Sequence, residues 1–305
     1  MSNRRRGREI SGVLLLDKPI GLTSNQALTT VKIIFGAKKA GHTGSLDPLA
    51  CGMLPICFGD ATKFSQFLLE ADKQYLVEAK LGIRTKTGDE EGEVIATRKV
   101  AVDEEQIEAV LTNFRGKIEQ VPSMYSALKF QGKPLYSYAR QGIEIERQSR
   151  PVMIKELKLL EFNDDILKIR VACSKGTYIR TLVDDIGEQL GCGAHVALLR
   201  RTYVEPYQDT IMISLDNIKR EREDRNILDE MLLPIDSALS AWPQVVLTES
   251  ITYHLKQGQP VLVPRAPTSG WVRLYDNDEF LGVGEILDDG RVAPRRLITT
   301  KTAKF

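Results

Sequence analysis

The chain has 305 residues, with Lys+Arg 42 against Asp+Glu 41, three His, four Cys and a formal net charge of +1. At 42% hydrophobic and 27% charged it has globular composition, which excludes the disordered and fibrous classes. No apolar run approaches the roughly 18 residues that a membrane span needs. The basic start Arg4-Arg5-Arg6-Gly7-Arg8 precedes an apolar run of only residues 13–16, closed by Asp17-Lys18-Pro19, which is not a signal peptide. Cys51, Cys57, Cys173 and Cys192 are widely spaced with no C-x-x-C, which supports neither a disulfide framework nor a zinc ribbon. A cytoplasmic protein is expected.

The first element in chain order is a buried strand at 13–16, followed by a Pro19/Gly21 turn. Ser24 then reads as the N-cap of a helix with Ala27, Val31 and Ile34 on one face. Residues 75–83 alternate, with Tyr75, Val77, Ala79, Leu81 and Ile83 on one face of a strand and Glu78 and Lys80 opposite. Residues 104–114 form an amphipathic helix, with Ile107, Val110, Leu111 and Phe114 inward and Gly116 as its stop. Residues 152–162 and 166–173 flank Asn163-Asp164-Asp165 as a hairpin. A helix over 181–190 turns Leu182, Val183, Ile186 and Leu190 inward. The mixed-charge stretch at 219–225 reads as a solvated helix or loop.

A domain boundary is expected near 243–247, after Pro234, Trp242 and Pro243. Beyond it, short apolar runs are broken by Asp276-Asn277-Asp278 and Asp288-Asp289-Gly290, the latter a hairpin signature. This predicts a basic N-terminal tail at 1–8, a large domain at 9–243 and a small β-rich domain at 247–305. Strands and helices do not alternate regularly, which favours α+β over a parallel α/β sheet.

Charge is segregated along the chain. Residues 1–8 hold four Arg and no acid, and residues 291–305 hold five basic residues and no acid. Residues 125–150 carry five basic and two acidic residues, while acids gather at 89–93 and 103–108. Such a pattern can build a basic stripe for phosphates. Two basic tails without a partner explain the charge equally well.

The densest run of special residues is Gly41-His42-Thr43-Gly44-Ser45-Leu46-Asp47-Pro48-Leu49-Ala50-Cys51-Gly52. Its three Gly and one Pro enforce an irregular backbone able to hold the Asp47 carboxylate in a fixed pose, as a nucleophile or general base. Spacing alone favours the plainer role, in which Asp-Pro initiates a turn or caps a helix. Gly36-Ala37-Lys38-Lys39-Ala40-Gly41-His42-Thr43 follows the strand-like residues 31–35 and matches a phosphate-binding loop except at His42. A neutral imidazole cannot supply the charge of the missing lysine. His42, His195 and His254 are scattered, so no metal site is expected.

A second cluster, Ser174-Lys175-Gly176-Thr177-Tyr178-Ile179-Arg180-Thr181, joins a strand to a helix. There Arg180 could pair with a buried carboxylate and Tyr178 could stack on a planar ligand. A core Tyr178 and a surface Arg180 fit as well. A third segment interleaves Tyr125, Lys129, Phe130, Lys133, Tyr136, Tyr138 and Arg140. Aromatic platforms beside cations suit unpaired bases and phosphates, and this favours RNA over an ordinary packed hairpin.

Together these pieces resemble the bacterial tRNA pseudouridine-55 synthase family. The resemblance runs through Leu14-Leu15-Leu16-Asp17-Lys18-Pro19-Ile20-Gly21-Leu22-Thr23-Ser24 and the Asp47 run, then Leu81-Gly82-Ile83-Arg84-Thr85-Lys86-Thr87-Gly88-Asp89. It continues through Pro122-Ser123-Met124-Tyr125-Ser126-Ala127-Leu128-Lys129 and Lys175-Gly176-Thr177-Tyr178-Ile179-Arg180. Ser45 and Cys51 depart from the family's usual residues but are small. The resemblance implies an α+β fold on a mixed, mainly antiparallel sheet, and a C-terminal domain similar to that of pseudouridine synthases and archaeosine transglycosylases. It implies isomerisation of uridine 55 in the T-arm loop of tRNA, without cofactor or metal. Asp47 is then the nucleophile, Arg180 its ion-pair partner and Tyr75 the residue against the target base. Tyr178 and Leu199 line the pocket, Asp89 lies in its rim and His42 fills the position vacated by the flipped base. Lys18 and Pro19 support the active-site loop, and Lys129 belongs to an RNA-contacting insertion at 124–150.

A non-catalytic RNA-binding or refolding protein using the same surface is the alternative. The short basic start and absence of a long extension favour a standalone enzyme with no guide RNA. Without sustained heptads, a monomer is expected.

Overall fold

The computed structural model describes residues 7–298. Arg4, Arg5 and Arg6 of the expected N-terminal tail, and Lys301 and Lys304 at the other end, lie outside the described residues. The chain divides into two compact units. One holds the chain through Pro48, Gly52–Leu69 and the chain from Val204; the other holds Leu49–Cys51 and Glu70–Tyr203.

In the first unit the apolar run at 13–16 lies within β1 (Gly12–Lys18). Helix α1 (Ser24–Ile34) is capped by Thr23, not by Ser24. The Thr23 hydroxyl accepts the Gln26 N–H and Gln26 Oε1 accepts the Thr23 N–H, a reciprocal pair that satisfies two orphan donors. Ala27, Val31 and Phe35 recur every fourth residue and are fully buried, so Phe35 takes the inward place expected of Ile34. The same period makes residues 31–34 the end of a helix rather than a strand. Strand β2 (Ala40–His42) follows, and β3 (Ala50–Phe58) pairs antiparallel with both β1 and β2. Helix α2 (Ser65–Glu70) closes this part of the chain.

The second unit opens with β4 (Lys73–Leu81), in which alternate residues from Lys73 to Leu81 are buried. Tyr75, Val77, Ala79 and Leu81 share the inner face as expected, but Ile83 does not continue it. Gly82 takes φ +85°, which breaks the strand, and Ile83 starts β5 (Ile83–Thr85), paired with β6 (Val94–Thr97). Helix α3 (Glu104–Asn113) is capped by Asp103 and buries Ile107 and Leu111. Strand β7 (Gly116–Gln120) follows, then the insertion with its hairpin β8 (Lys129–Phe130) and β9 (Lys133–Pro134) and short helix α4 (Leu135–Ala139). β10 (Arg150–Asn163) and β11 (Ile166–Cys173) form the expected hairpin. Helix α5 (Ile179–Gln189) starts two residues earlier than expected and leads to β12 (Ala194–Val204). The strands run in the order β12-β4-β11-β10-β7, and from β4 to β7 each strand is antiparallel to its neighbour.

From Val204 the chain belongs to the first unit again. β13 (Ile213–Ser214) pairs parallel with β1. The charged stretch at 219–225 covers the end of α6 (Leu215–Arg220), a turn and the start of α7 (Arg225–Glu230). Asp224 caps α7, and the Arg225 guanidinium donates to the Ile34 carbonyl at 3.0 Å.

β14 (Gln244–Leu247), α8 (Glu249–Lys256), β15 (Gly270–Asp276), β16 (Glu279–Ile286) and β17 (Val292–Leu297) complete the chain. Their four strands form a separate sheet over Val245, Leu247, Leu255, Val272, Leu274 and Val292. The tight two-residue turn falls at Asn277-Asp278, with Asn277 at φ +52°, while Asp288-Asp289-Gly290 sits in a longer loop. Within the unit this sheet is anchored by aromatic rings: Phe67 of α2 meets Trp242 and Trp271 edge-on, and the two indoles stack at 5.4 Å. The fold is α+β, with a mixed, mainly antiparallel sheet, flanking helices and a small C-terminal sheet.

Candidate active site

In the first unit, the loop carrying Asp47 is held from both sides of that residue. The Ser24 hydroxyl accepts the Leu46 N–H at 2.8 Å and donates to the Leu46 carbonyl at 3.0 Å. One residue beyond Asp47, the Pro48 carbonyl accepts the Gly21 N–H at 2.8 Å. The clamping segment is itself set by Lys18, whose fully buried ammonium donates to the carbonyls of Pro19 and Leu22 at 2.9 and 2.7 Å. These charge-assisted bonds fold residues 18–22 into a turn around the cation. Gly21 closes that turn at φ +87°, a conformation costly for any side chain-bearing residue. Ser24 is thus spent on the loop, which is why capping falls to Thr23. His42 ends β2 opposite Ile56, half-buried, and the Thr43 N–H donates to the Pro55 carbonyl.

In the second unit, Arg180 lies in the first turn of α5 and is 8% exposed. Its guanidinium donates to Asp89 Oδ2 at 2.9 Å, to the Thr87 carbonyl at 3.0 Å and to the Tyr125 carbonyl at 3.0 Å. Asp89 is 3% exposed, so its carboxylate is buried against Arg180 rather than set in a pocket rim. Its other oxygen accepts from the Thr87 hydroxyl at 2.5 Å, and its carbonyl accepts from the Thr85 hydroxyl. A buried ion pair recovers its desolvation cost only when its remaining donors and acceptors find partners, and Thr87 and Tyr125 supply several of them here. Gly88, between Thr87 and Asp89, has φ +75°, and a Cβ there would stand 3.3 Å from the Arg180 Cβ. That contact is tight, and the positive φ adds backbone strain for any residue with a side chain.

Tyr178, half-buried, is the N-cap residue of α5 and makes no side-chain capping bond. The buried Gln120 side chain instead bonds its backbone on both sides. Tyr75 lies on the inner face of β4 and Leu199 is buried in β12. Lys129 is exposed in the β8–β9 hairpin. Sequence reasoning missed Ser24 as a clamp, Lys73 and Gln120. Lys73 shares the inner face of β4 with Tyr75; burial and then the nearby Arg201 charge push its ammonium down to about 8. The alternation of β4 signalled its place, but nothing in the sequence signalled its electrostatics.

A cleft of about 1000 Å³ in the second unit is lined by Lys86, Tyr125, Arg147, Arg180, Asp184 and Asp185, among others. Asp184 is held by a bidentate bond from Arg84, at 2.6 and 2.8 Å. Burial, and then the neighbouring Asp184 charge, push the Asp185 carboxyl up to about 6. Among the described residues, no group of three or more His, Cys, Asp and Glu is placed to hold a metal ion.

Comparison with known proteins places this arrangement in a family. Residues 32–179 match the TruB family pseudouridylate synthase N-terminal domain. Residues 180–240 match the tRNA pseudouridylate synthase B C-terminal domain, and residues 243–298 match the pseudouridine synthase II TruB C-terminal domain. The chain is 56% identical to the tRNA pseudouridine synthase B of Tolumonas auensis, over 98% of this chain and 96% of that protein. It is 57% identical to the protein of the same name from Coxiella burnetii strain RSA 493, over 95% and 96%. Among solved structures, that of a Cbf5-Nop10-Gar1 complex matches with a TM-score of 0.73 and 27% identity, covering 94% of this chain and 84% of that one. An H/ACA RNP bound to a substrate RNA containing 2'-deoxyuridine matches at 0.73 and 25% identity, covering 98% and 92%. The chain belongs to the TruB family of pseudouridylate synthases.

Two outcomes follow from the geometry. Ser24→Ala leaves the Leu46 N–H without its hydroxyl partner and should lower unfolding free energy by about 1–3 kcal/mol in urea titrations. A loss below about 0.5 kcal/mol, the scatter of neutral surface changes, would show that the clamp does not hold the loop. For Asp185, the folded state keeps its proton up to about 6 while the unfolded chain releases it near 3.8. Its stabilising contribution is therefore complete below the unfolded value and is lost as pH rises through about 6. Wild type should lose stability relative to Asp185→Asn across that window, read as thermal midpoints in buffers spanning it.

Proposed function

We propose that this chain isomerises uridine 55 in the T-arm loop of tRNA to pseudouridine, acting alone, without guide RNA, cofactor or metal. The observation that carries the reading is the doubly clamped Asp47 loop within the family's motif, together with relatives named tRNA pseudouridine synthase B. A protein that only binds RNA gains nothing from a carboxylate held in a fixed pose in a molecule that must meet phosphates.

The reaction breaks the bond from sugar C1′ to uracil N1 and forms one from C1′ to C5. The C5 proton is lost and N1 ends protonated, so the product is an isomer and no oxidant or acceptor enters. In this reading Asp47 attacks or electrostatically supports C1′ as the glycosidic bond breaks. The Tyr75 hydroxyl lies against the base and takes part in moving the C5 proton, provided the site tunes its high intrinsic pKa. Arg180 supplies positive charge where the uracil carries negative charge between cleavage and rejoining. Tyr178 and Leu199 line the base pocket, and Asp89 holds Arg180 in place.

The target base is stacked in the folded loop, so extruding it costs a few kcal/mol. His42 filling the vacated position offsets part of that cost. The insertion supports an RNA contact: Phe130 and Tyr136 are 40% and 41% exposed, and Arg140 lies over the Tyr136 ring at 5.5 Å. Exposed rings beside Lys129 and Arg140 offer stacking surfaces and phosphate partners together. The small C-terminal sheet at 243–298 is read as a second RNA-binding element. A cytoplasmic monomer fits this activity, and among the described residues no helix is long and apolar enough to cross a membrane.

The test uses a tRNA transcript tritiated at uracil C5, with wild type and Asp47→Asn in parallel. Wild type should release tritium in a one-to-one ratio to tRNA, and Asp47→Asn should release none while binding tRNA as tightly. Tight binding without release by either protein would overturn the catalytic reading.

A further inference from the structure

Gln120 ends β7, is 2% exposed and carries no charge that would mark it in the sequence. Its Oε1 accepts the Tyr178 N–H at 2.8 Å and its Nε2 donates to the Tyr178 carbonyl at 3.0 Å. One side chain thus satisfies both backbone groups of one residue, as a neighbouring strand would. Tyr178 is where support is needed. It precedes the first turn of α5, makes no side-chain cap and follows the exposed turn Lys175-Gly176, with Gly176 at φ +80°. Its carbonyl also accepts the Leu182 N–H, so the Gln120 amide fixes the residue from which the helix starts.

The clasp has a second point. Five residues beyond Gln120, the Tyr125 carbonyl accepts from Arg180, two residues beyond Tyr178. The segments 120–125 and 178–180 are therefore joined at both ends, by a neutral amide at one and a guanidinium at the other. Releasing the amide leaves Arg180 anchored to Asp89 but frees the chain that sets the Tyr178 ring and the helix start. Between these two ties lie Val121, Pro122, Ser123 and Met124, which lead into the insertion.

We propose that Gln120 is a positioning residue: its amide orients Tyr178 and the Arg180-bearing turn of α5 for the chemical step. The role rests on the reading of this chain as a tRNA pseudouridine synthase. It differs from a merely structural role in where its loss is felt. A one-ångström displacement of a group that positions substrate is enough to slow chemistry by orders of magnitude, while tRNA binding spreads over a larger surface.

The experiment compares wild type, Gln120→Met, Arg180→Lys and the double variant with a C5-tritiated tRNA transcript. Single-turnover rates, tRNA Kd values and thermal midpoints are measured on the full chain. Gln120→Met should slow single-turnover release by about tenfold or more and change Kd by less than about threefold. In the Arg180→Lys background the same substitution should cost less than about threefold, because both act through one arrangement. If Gln120→Met lowers the thermal midpoint so far that the protein is unfolded at the assay temperature, Gln120→Glu replaces it. That variant keeps the length and the acceptor but removes the donor to Tyr178, and the same rate loss is expected. A Gln120→Met rate within about twofold of a working wild type, or full additivity with Arg180→Lys, would overturn the positioning role alone. A wild type that binds tRNA but releases no tritium would overturn the proposed function and the positioning role with it.

Discussion

The buried ion pair between Arg180 and Asp89 ties together separate segments of the second unit. Both groups are shielded from water, and the bonds made with neighbours such as Thr87 and Tyr125 offset part of the cost of burying them. Removing one partner of such a pair costs about 3–5 kcal/mol, because the other is left charged and buried. Those neighbours come from distant parts of the chain: Thr85 and Thr87 from the β5 segment, Tyr125 from the root of the insertion, Arg180 from α5. The pair is thus a junction of three segments. Gly88 lets the backbone take a positive φ close to the Arg180 stem, where a Cβ would be crowded.

The first unit holds its Asp47 loop differently. The Asp47 loop is fixed by backbone and hydroxyl bonds to Leu46 and Pro48, the residues on either side of Asp47. Lys18 acts at one remove. A buried ammonium holding two carbonyls of its own turn makes the turn stiff, and the stiff turn carries Gly21 and Ser24 to the Asp47 loop. Preorganised dipoles and charges cost no rearrangement at the moment of reaction, which is what both devices would offer under the proposed function.

Much of this was legible in the sequence, for reasons that differ by element. The β4 alternation was readable because an antiparallel strand with one buried face shows its period directly. It overran at Ile83 because a positive-φ glycine breaks a strand without breaking the apolar pattern. Ser24 and Thr23 are both good caps, and only the Leu46 backbone, 22 residues away, decides between them. Family motifs drew attention to Asp89 and Arg180 but not to their mutual burial, which depends on where β5 and α5 meet. Gln120 left no signal, since a neutral side chain bonding distant backbone follows no local rule. The basic C-terminal stretch misleads for a similar reason. Arg291 and Arg295 pair with Asp289 and Glu285, acids that lie outside that stretch.

Under the proposed function, uridine 55 of tRNA is turned into pseudouridine. The most direct measurement maps the product by position. An unmodified full-length tRNA transcript is incubated with the wild-type protein, treated with a carbodiimide that marks pseudouridine, and read by reverse transcription. The account predicts one new stop, at uridine 55 in the T-arm loop, reaching completion with catalytic protein. A mark at another uridine, or none in a transcript that the protein binds, would contradict it.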